Sequence, residues 1–149
     1  MSGLTPIWPQ YDPIGPVSKD RLREILVDSV EELLKQINAD EELRPFLKNY
    51  PFTENEVEIE LYIVNKHGES LLYPNICIGS AYERSINFTT NLKQFDYNSE
   101  TESFEDAARI VRDSKKKETF QNPSLFSREF ISFFKSSIFI GNCEGYSPY

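Results

Sequence analysis

The sequence contains few of the residues that most catalytic and metal sites need. Among 149 residues there is one histidine, His67, and there are two cysteines, Cys77 and Cys143. A zinc site with several histidines is therefore excluded, and the two cysteines have no metal-ligand spacing. The six glycines are scattered and form neither a phosphate-binding loop nor a nucleophile elbow. We expect no metal, no cofactor and no catalytic residue, with His67 a solvated residue of the turn "NKHG".

Basic residues are also scarce, since 16 Lys and Arg stand against 24 Asp and Glu. The only dense basic run is Lys115–Lys117, which Asp113 and Glu118 flank. Because clustered cations hold phosphate backbones and anionic membranes, neither nucleic acid nor a membrane surface is an expected partner. No apolar run approaches the roughly 18 residues of a spanning helix. The net charge of −8 is concentrated in residues 51–100, which carry 3 basic and 8 acidic groups (3 − 8 = −5).

The first residues contain no basic region followed by an apolar one, so no secretory signal is predicted. A start such as "MSGLTP" also fits a chain whose leader has been removed. We therefore expect a soluble protein and leave two compartments open, the cytoplasm and an exported location. Whether Cys77 and Cys143 pair stays open for the same reason, since disulfides depend on compartment. The run around Cys77 predicts a small buried side chain in a strand.

Composition divides the chain into a Pro-rich extended arm (1–17), a single α+β domain (18–141) and a C-terminal tail (142–149). The arm has prolines at positions 6, 9, 13 and 16, which favour extended backbone. Its P-x-x-P spacings are typical of peptides that dock in aromatic grooves. The alternative is that Ile7, Trp8 and Tyr11 lay the arm on the domain's own surface.

Two helices are predicted. Ser18 caps the first, which extends to Asn38 and carries an apolar stripe at helical spacing: Leu22, Ile25, Leu26, Val30, Leu33, Leu34 and Ile37. The second runs from about 102 to 116, after two candidate capping boxes, Ser99 with Glu102 and Ser103 with Asp106. An aromatic C-terminal element follows, either helix or strand, with Phe126, Phe130, Phe133, Phe134 and Ile138 on one side.

Three antiparallel strands are predicted between the helices. From Glu56 to Val64 the alternation has period two, which places Val57, Ile59, Leu61 and Ile63 on a core face and Glu56, Glu58, Glu60 and Tyr62 on the other. Gly68 closes a turn into a return strand within 69–81 that Pro74 interrupts, and residues 82–92 form the third strand. Asp96, Asn98 and Glu100 resemble the first ligands of an EF-hand loop. However, Thr101 replaces its glycine and Ala107 its bidentate glutamate, so we predict a capping loop instead.

The glutamate row Glu56, Glu58 and Glu60 has two interpretations. It keeps a half-exposed strand soluble, or it forms an acidic strip that steers a basic partner. Phe130 and Phe134 are the other candidate partner-binding residues. They belong to an aromatic stripe that either completes the core or forms a homodimer contact.

The expected function is therefore a non-enzymatic, acidic module that binds another protein. In element order, size and acidity the predicted domain resembles the class I type III secretion chaperones, which implies a dimer that holds a partner segment in extended form. The Pro-rich arm and the segment 38–56 have no counterpart in that family. Three alternatives stay open: an immunity-like protein that masks a basic target, an exported protein without its leader, and a small-ligand-binding or hydrolytic domain. The last would have an aromatic pocket between sheet and helices, with Phe88, Phe104, Phe130 and Tyr62 as its lining.

Overall fold

A computed structural model describes residues 13–119 and shows an α+β fold with two helices and a four-stranded antiparallel sheet. The elements are α1 (Lys19–Ala39), β1 (Glu58–Tyr62), β2 (Ile76–Tyr82), β3 (Ser85–Lys93), β4 (Asp96–Ser103) and α2 (Phe104–Thr119). Two short 3₁₀ turns, Arg44–Phe46 and Glu54–Glu56, lie between α1 and β1. The strands are ordered β1-β2-β3-β4, so each strand pairs with its sequence neighbours. The prediction of three strands was therefore one strand short.

Helix α1 begins and ends where the sequence predicts. The Ser18 hydroxyl accepts a hydrogen bond from the Arg21 N–H at 3.2 Å, which satisfies one of the free donors of the first turn. Asp40 caps the other end, and its carboxylate accepts the Leu43 N–H at 3.2 Å. Five residues of the predicted stripe are buried: Leu22, Leu26, Val30, Leu33 and Ile37. Within residues 13–119, neither helix has the length and apolarity that crossing a bilayer requires.

The predicted core face of β1 is confirmed. Val57, Ile59, Leu61 and Ile63 are all at least 97% buried and join the α1 stripe in one cluster. The strand itself is shorter than the predicted 56–64, because Glu56 belongs to the 3₁₀ turn before it. Val64 then pairs with the end of the arm: its N–H donates to the Pro13 carbonyl at 3.1 Å.

The largest correction concerns β4, which occupies the segment that was predicted as a capping loop. Its residues pair with β3 from Ser85↔Ser103 to Lys93↔Asp96. No hydrophobic alternation marks it, because its core-side residues are acids that meet cations of α1. Asp96, Asn98 and Glu100, which resemble EF-hand ligands in sequence, are part of this paired strand. Glu100 lies 2.5 Å from the Lys19 ammonium.

Helix α2 starts directly after this strand. The Ser103 hydroxyl accepts the Asp106 N–H at 3.1 Å, which confirms the second predicted cap. The first predicted box, Ser99 with Glu102, is wrong because both residues lie within β4. The C-terminal aromatic element, including Phe130 and Phe134, lies outside the described residues, as do the arm residues Ile7, Trp8 and Tyr11.

Helix α1 sits close to the sheet because β2 has a glycine beneath it. A Cβ on Gly79 would lie 2.7 Å from a Leu22 methyl carbon, well inside van der Waals contact. The next residue, Arg23, reaches β4, and its Nε lies 2.5 Å from a Glu102 carboxylate oxygen. The Glu102 hydrogen bond raises the pKa of Arg23 although burial opposes it. The guanidinium also lies over the Phe88 ring, 5.7 Å from its centroid.

A charged contact also joins the two helices. Lys115 of α2 places its ammonium 2.6 Å from the Asp28 carboxylate of α1. Burial nevertheless raises the pKa of Asp28, since the loss of hydration outweighs the hydrogen bond and the attraction of Lys115. The ionised carboxylate is thus held in the fold at a net cost, and this makes its contribution to stability dependent on pH.

The face assignment of β1 can be tested with a pair of substitutions. Ile59→Ala is expected to lower the free energy of unfolding by about 2–5 kcal/mol, because it leaves a cavity in the core. Glu58→Ala, on the opposite face of the same strand, is expected to change it by less than about 0.5 kcal/mol. Urea unfolding of both variants measures the difference, and equal losses would contradict the assignment.

The pKa of Asp28 gives a prediction about pH. Because the folded pKa is raised, the penalty for the charged form is fully present above that pKa and disappears as the pH falls toward the unfolded value of 3.8. Asp28→Asn removes the penalty, so its stability relative to the parent protein should be most favourable at pH 7 and decline toward pH 4. Urea unfolding at several pH values measures this trend. A deficit at pH 7 that shrinks in acid would show that the Lys115 pair outweighs burial.

Candidate functional site

Both helices pack on one face of the sheet, and the described residues leave the other face uncovered. Strand register arranges twelve side chains on this second face in three rows of four. The rows are Glu58–Tyr82–Ser85–Ser103, Glu60–Ser80–Asn87–Thr101 and Tyr62–Ile78–Thr89–Ser99. We call these twelve residues the open face. An antiparallel sheet with one solvated face is a common arrangement, but its composition here is unusual.

Hydroxyl and amide groups form cross-strand hydrogen bonds over β2, β3 and β4. The Thr101 hydroxyl donates to the Asn87 side-chain oxygen at 2.7 Å, and the Asn87 amide lies 3.5 Å from the Ser80 hydroxyl. In the next row the Thr89 and Ser99 hydroxyls are 2.7 Å apart. These contacts order the centre of the open face and leave hydroxyl groups at its surface to donate or accept further hydrogen bonds.

The charge of the open face is entirely negative. Glu58 and Glu60 belong to it, and none of its twelve positions is Lys or Arg. No ion pair within residues 13–119 involves either glutamate. On the helix side of the sheet, by contrast, Glu100 and Glu102 each meet a cation of α1. The two faces therefore differ in whether their acids are neutralised.

Two tyrosines accompany the glutamates. Tyr82 pairs with Glu58 across the first row, and Tyr62 follows Glu60 on the same face of β1. Their exposed fractions are 48% and 51%, so each side chain is about half accessible to solvent. A hydrogen bond to Glu83, together with the charges of Glu83 and Glu58, raises the pKa of Tyr82 and keeps its phenol neutral. A neutral tyrosine ring beside carboxylates is an environment that attracts cations.

Of the five predicted partner-binding residues, Glu58 and Glu60 lie together on the open face. Glu56 lies outside it, in the 3₁₀ turn that precedes β1. Its carboxylate accepts the Thr53 N–H at 2.9 Å, and that oxygen is 2.5 Å from the Thr53 hydroxyl. The Thr53 hydroxyl contact, above all, lowers the pKa of Glu56. Glu56 is therefore a capping residue of the turn.

Sequence reasoning missed Tyr82, Ser80 and Thr101 as neighbours of the glutamates. These residues are 20–43 positions away from Glu58 or Glu60, and only the strand register brings them into the same rows. The turn Glu83–Arg84, where both residues have positive φ, sets the register of β2 and β3. Neither residue is a glycine or an asparagine, so the usual signal for such a turn is absent.

Other candidate chemistries have little support in the described residues. Within 13–119 no group of three or more His, Cys, Asp or Glu side chains is arranged to hold a metal. His67 is exposed in a turn where its N–H donates to Asn65 at 2.8 Å. Cys77 is buried, and its sulfur lies 3.3 Å from the Thr89 carbonyl. Tyr62 and Phe88 occupy opposite faces of the sheet, so they do not line one pocket.

The different roles of the three glutamates can be separated by mutation. Glu56→Ala is expected to lower the free energy of unfolding by about 0.5–1 kcal/mol, because the Thr53 N–H loses its partner. Because the pKa of Glu56 is lowered in the folded protein, its carboxylate stabilises the fold fully above the unfolded pKa of 4.5. The stability lost in Glu56→Ala should therefore be largest above pH 4.5 and should disappear in acid. Glu60→Ala is the control and should show no such loss. Thermal melts at pH 7 and pH 3 distinguish the two variants.

No protein-family model matches this chain, and no significant match is found among curated proteins or solved structures. Functional inference therefore depends on the geometry and the charge of the chain itself. The feature that differs most from an ordinary solvated sheet is the open face, with half-exposed tyrosines and two glutamates that form no ion pair within residues 13–119.

Proposed function

We propose that the protein is a non-enzymatic interaction module that binds a basic segment of another protein across the open face. One observation carries this proposal: the twelve residues of the face include no Lys or Arg, its two glutamates form no ion pair with any residue of 13–119, and its two tyrosines are half-exposed. Solubility alone would be served equally well by mixed charges, which most protein surfaces use.

The physical driving force is electrostatic. Glu58 and Glu60 are two residues apart on one strand, which separates them by roughly 7 Å. Their mutual repulsion is modest in water, and a cation placed between them removes it. A Lys or Arg side chain beside Glu58 is also close to the Tyr82 ring, and one beside Glu60 is close to the Tyr62 ring, where cation–π attraction contributes about 0.5–2 kcal/mol.

The remaining rows provide hydrogen bonds for the partner's backbone or polar side chains. Ser80, Asn87 and Thr101 follow Glu60 across the sheet. An extended segment that lies over this row would meet charge at β1 and neutral hydroxyl and amide groups at β2 to β4. The partner's basic residues should therefore be concentrated at one end of the docking segment.

A synthetic peptide with lysines at one end and a neutral run of serine and asparagine at the other is the probe for this surface. Titration calorimetry with the full chain at low salt should give measurable affinity, and Glu58→Gln with Glu60→Gln should weaken it about tenfold, or about 1.4 kcal/mol. The matched control is Glu41→Gln with Glu42→Gln, two exposed acids in the turn after α1. It changes net charge equally and should weaken binding less than about twofold.

Two outcomes would overturn the proposal. Equal weakening by both double variants would show a response to net charge alone, and absence of binding at low salt would show that the open face does not attract a basic segment. Amide chemical-shift changes provide an independent readout of location. They should be largest in β1 and β2 and small in the outer turns of α1.

A further inference from the structure

Large apolar side chains are exposed at one end of the sheet. At this end lie the 65–69 turn, the loop that precedes β2 and the tip of the β3–β4 hairpin. A hydrogen bond of 2.9 Å from the Tyr73 N–H to the Asn91 carbonyl joins the loop to the hairpin, and Asn91 pairs with Tyr97 of β4. The exposed members, each 43–82% accessible, form what we call the hairpin-end cluster: Leu72, Tyr73, Leu92, Phe95 and Tyr97.

Two local features in or beside this cluster are energetically unfavourable for the domain itself. Phe95, the most exposed member at 82%, has a φ of +68°, a conformation that bulky side chains rarely adopt. The side-chain oxygen of Asn91, the residue that pairs with Tyr97, is buried and accepts no hydrogen bond from residues 13–119. Strained backbone and unsatisfied polar groups are concentrated at functional surfaces, where binding offsets their cost.

The charges at this end are balanced, unlike those of the rest of the sheet. Lys66 and Lys93 stand against Glu69 and Asp96. The opposite end is acidic, with four glutamates and one arginine in its turns and helix start: Glu54, Glu56, Glu83, Glu105 and Arg84. Two copies of this acidic protein would repel each other through most surfaces, but contact through the hairpin end opposes no net charge.

We propose that the hairpin-end cluster is covered by the same cluster of a second copy, in a two-fold contact. Lys93 and Asp96 flank the hairpin turn as register partners, and neither belongs to an ion pair within the described residues. A two-fold axis beside the turn places Lys93 of one protomer opposite Asp96 of its partner, and the reverse. The contact is then self-complementary in both charge and apolarity.

The expected dimer is weak. An aromatic side chain buries about 150–250 Å² when fully covered, so five partly exposed side chains offer roughly 500 Å² per copy. The total of about 1,000 Å² is at the lower limit for a specific interface, which implies reversible association. This contact is independent of the open face and does not depend on the function proposed for it.

Sedimentation velocity of the full chain over a wide concentration range tests the proposal. The parent protein should shift from monomer toward dimer as concentration rises. Phe95→Gly should stay monomeric to at least tenfold higher concentration, while its melting temperature is unchanged or higher because glycine accepts positive φ. Ile110→Ala, an exposed apolar residue of α2, is the matched control and should dimerise like the parent.

A charge exchange tests the geometry directly. Lys93→Asp alone should weaken the dimer, and adding Asp96→Lys should restore it, because the two-fold contact recovers both pairs. A monomeric mass at all concentrations would overturn the proposal, and so would a dimer that Phe95→Gly leaves unchanged. A dimer lost only in Phe134→Ala would assign the contact to the C-terminal aromatic segment instead. Glu58→Gln with Glu60→Gln should not alter the mass, so failure here is distinguishable from failure of the binding proposal.

Discussion

The close approach of α1 to the sheet at Gly79 is the constraint on which most of this fold depends. With no side chain on Gly79, Leu22 lies directly against the backbone of β2. This distance lets Arg23 and Lys19 reach over Phe88 to the acids of β4. A larger residue at position 79 would push the helix outward and separate those pairs. The polar strand β4 is therefore held in place by ion pairs with α1 as well as by its backbone pairing with β3.

This arrangement explains why the two faces of the sheet have different electrostatic character. The β4 acids that face the helices have partners, as Glu102 has Arg23 and Glu100 has Lys19. Among residues 13–119 no cation forms an ion pair with Glu58 or Glu60, because both described helices pack on the other face. The acidic character of the open face is thus a consequence of packing both described helices on the other side of the sheet.

The features that were predicted correctly from the sequence are those in which hydrophobic residues recur with a regular period. The α1 stripe from Leu22 to Ile37 and the alternation from Val57 to Ile63 both report burial directly, and both appear in the core. β4 was missed because its inward residues, Glu100 and Glu102, are charged and their partners are about 80 positions away. Hydrophobic periodicity cannot detect a strand that is largely exposed and is held by its pairing with β3 and by ion pairs with a distant helix.

The candidate site was predictable only in part, for a related reason. Alternation identified Glu58 and Glu60 as solvent-facing, but the same pattern included Glu56, which a 3₁₀ turn removes from the strand. The row that joins Glu60 to Thr101 depends on three strand registers, and the register of β2 with β3 is set by a turn without glycine. The alternation of the local sequence shows on which face of a sheet a residue lies. It does not show which residues of the adjacent strands lie beside it. A surface composed of such neighbours becomes visible only when the register is known.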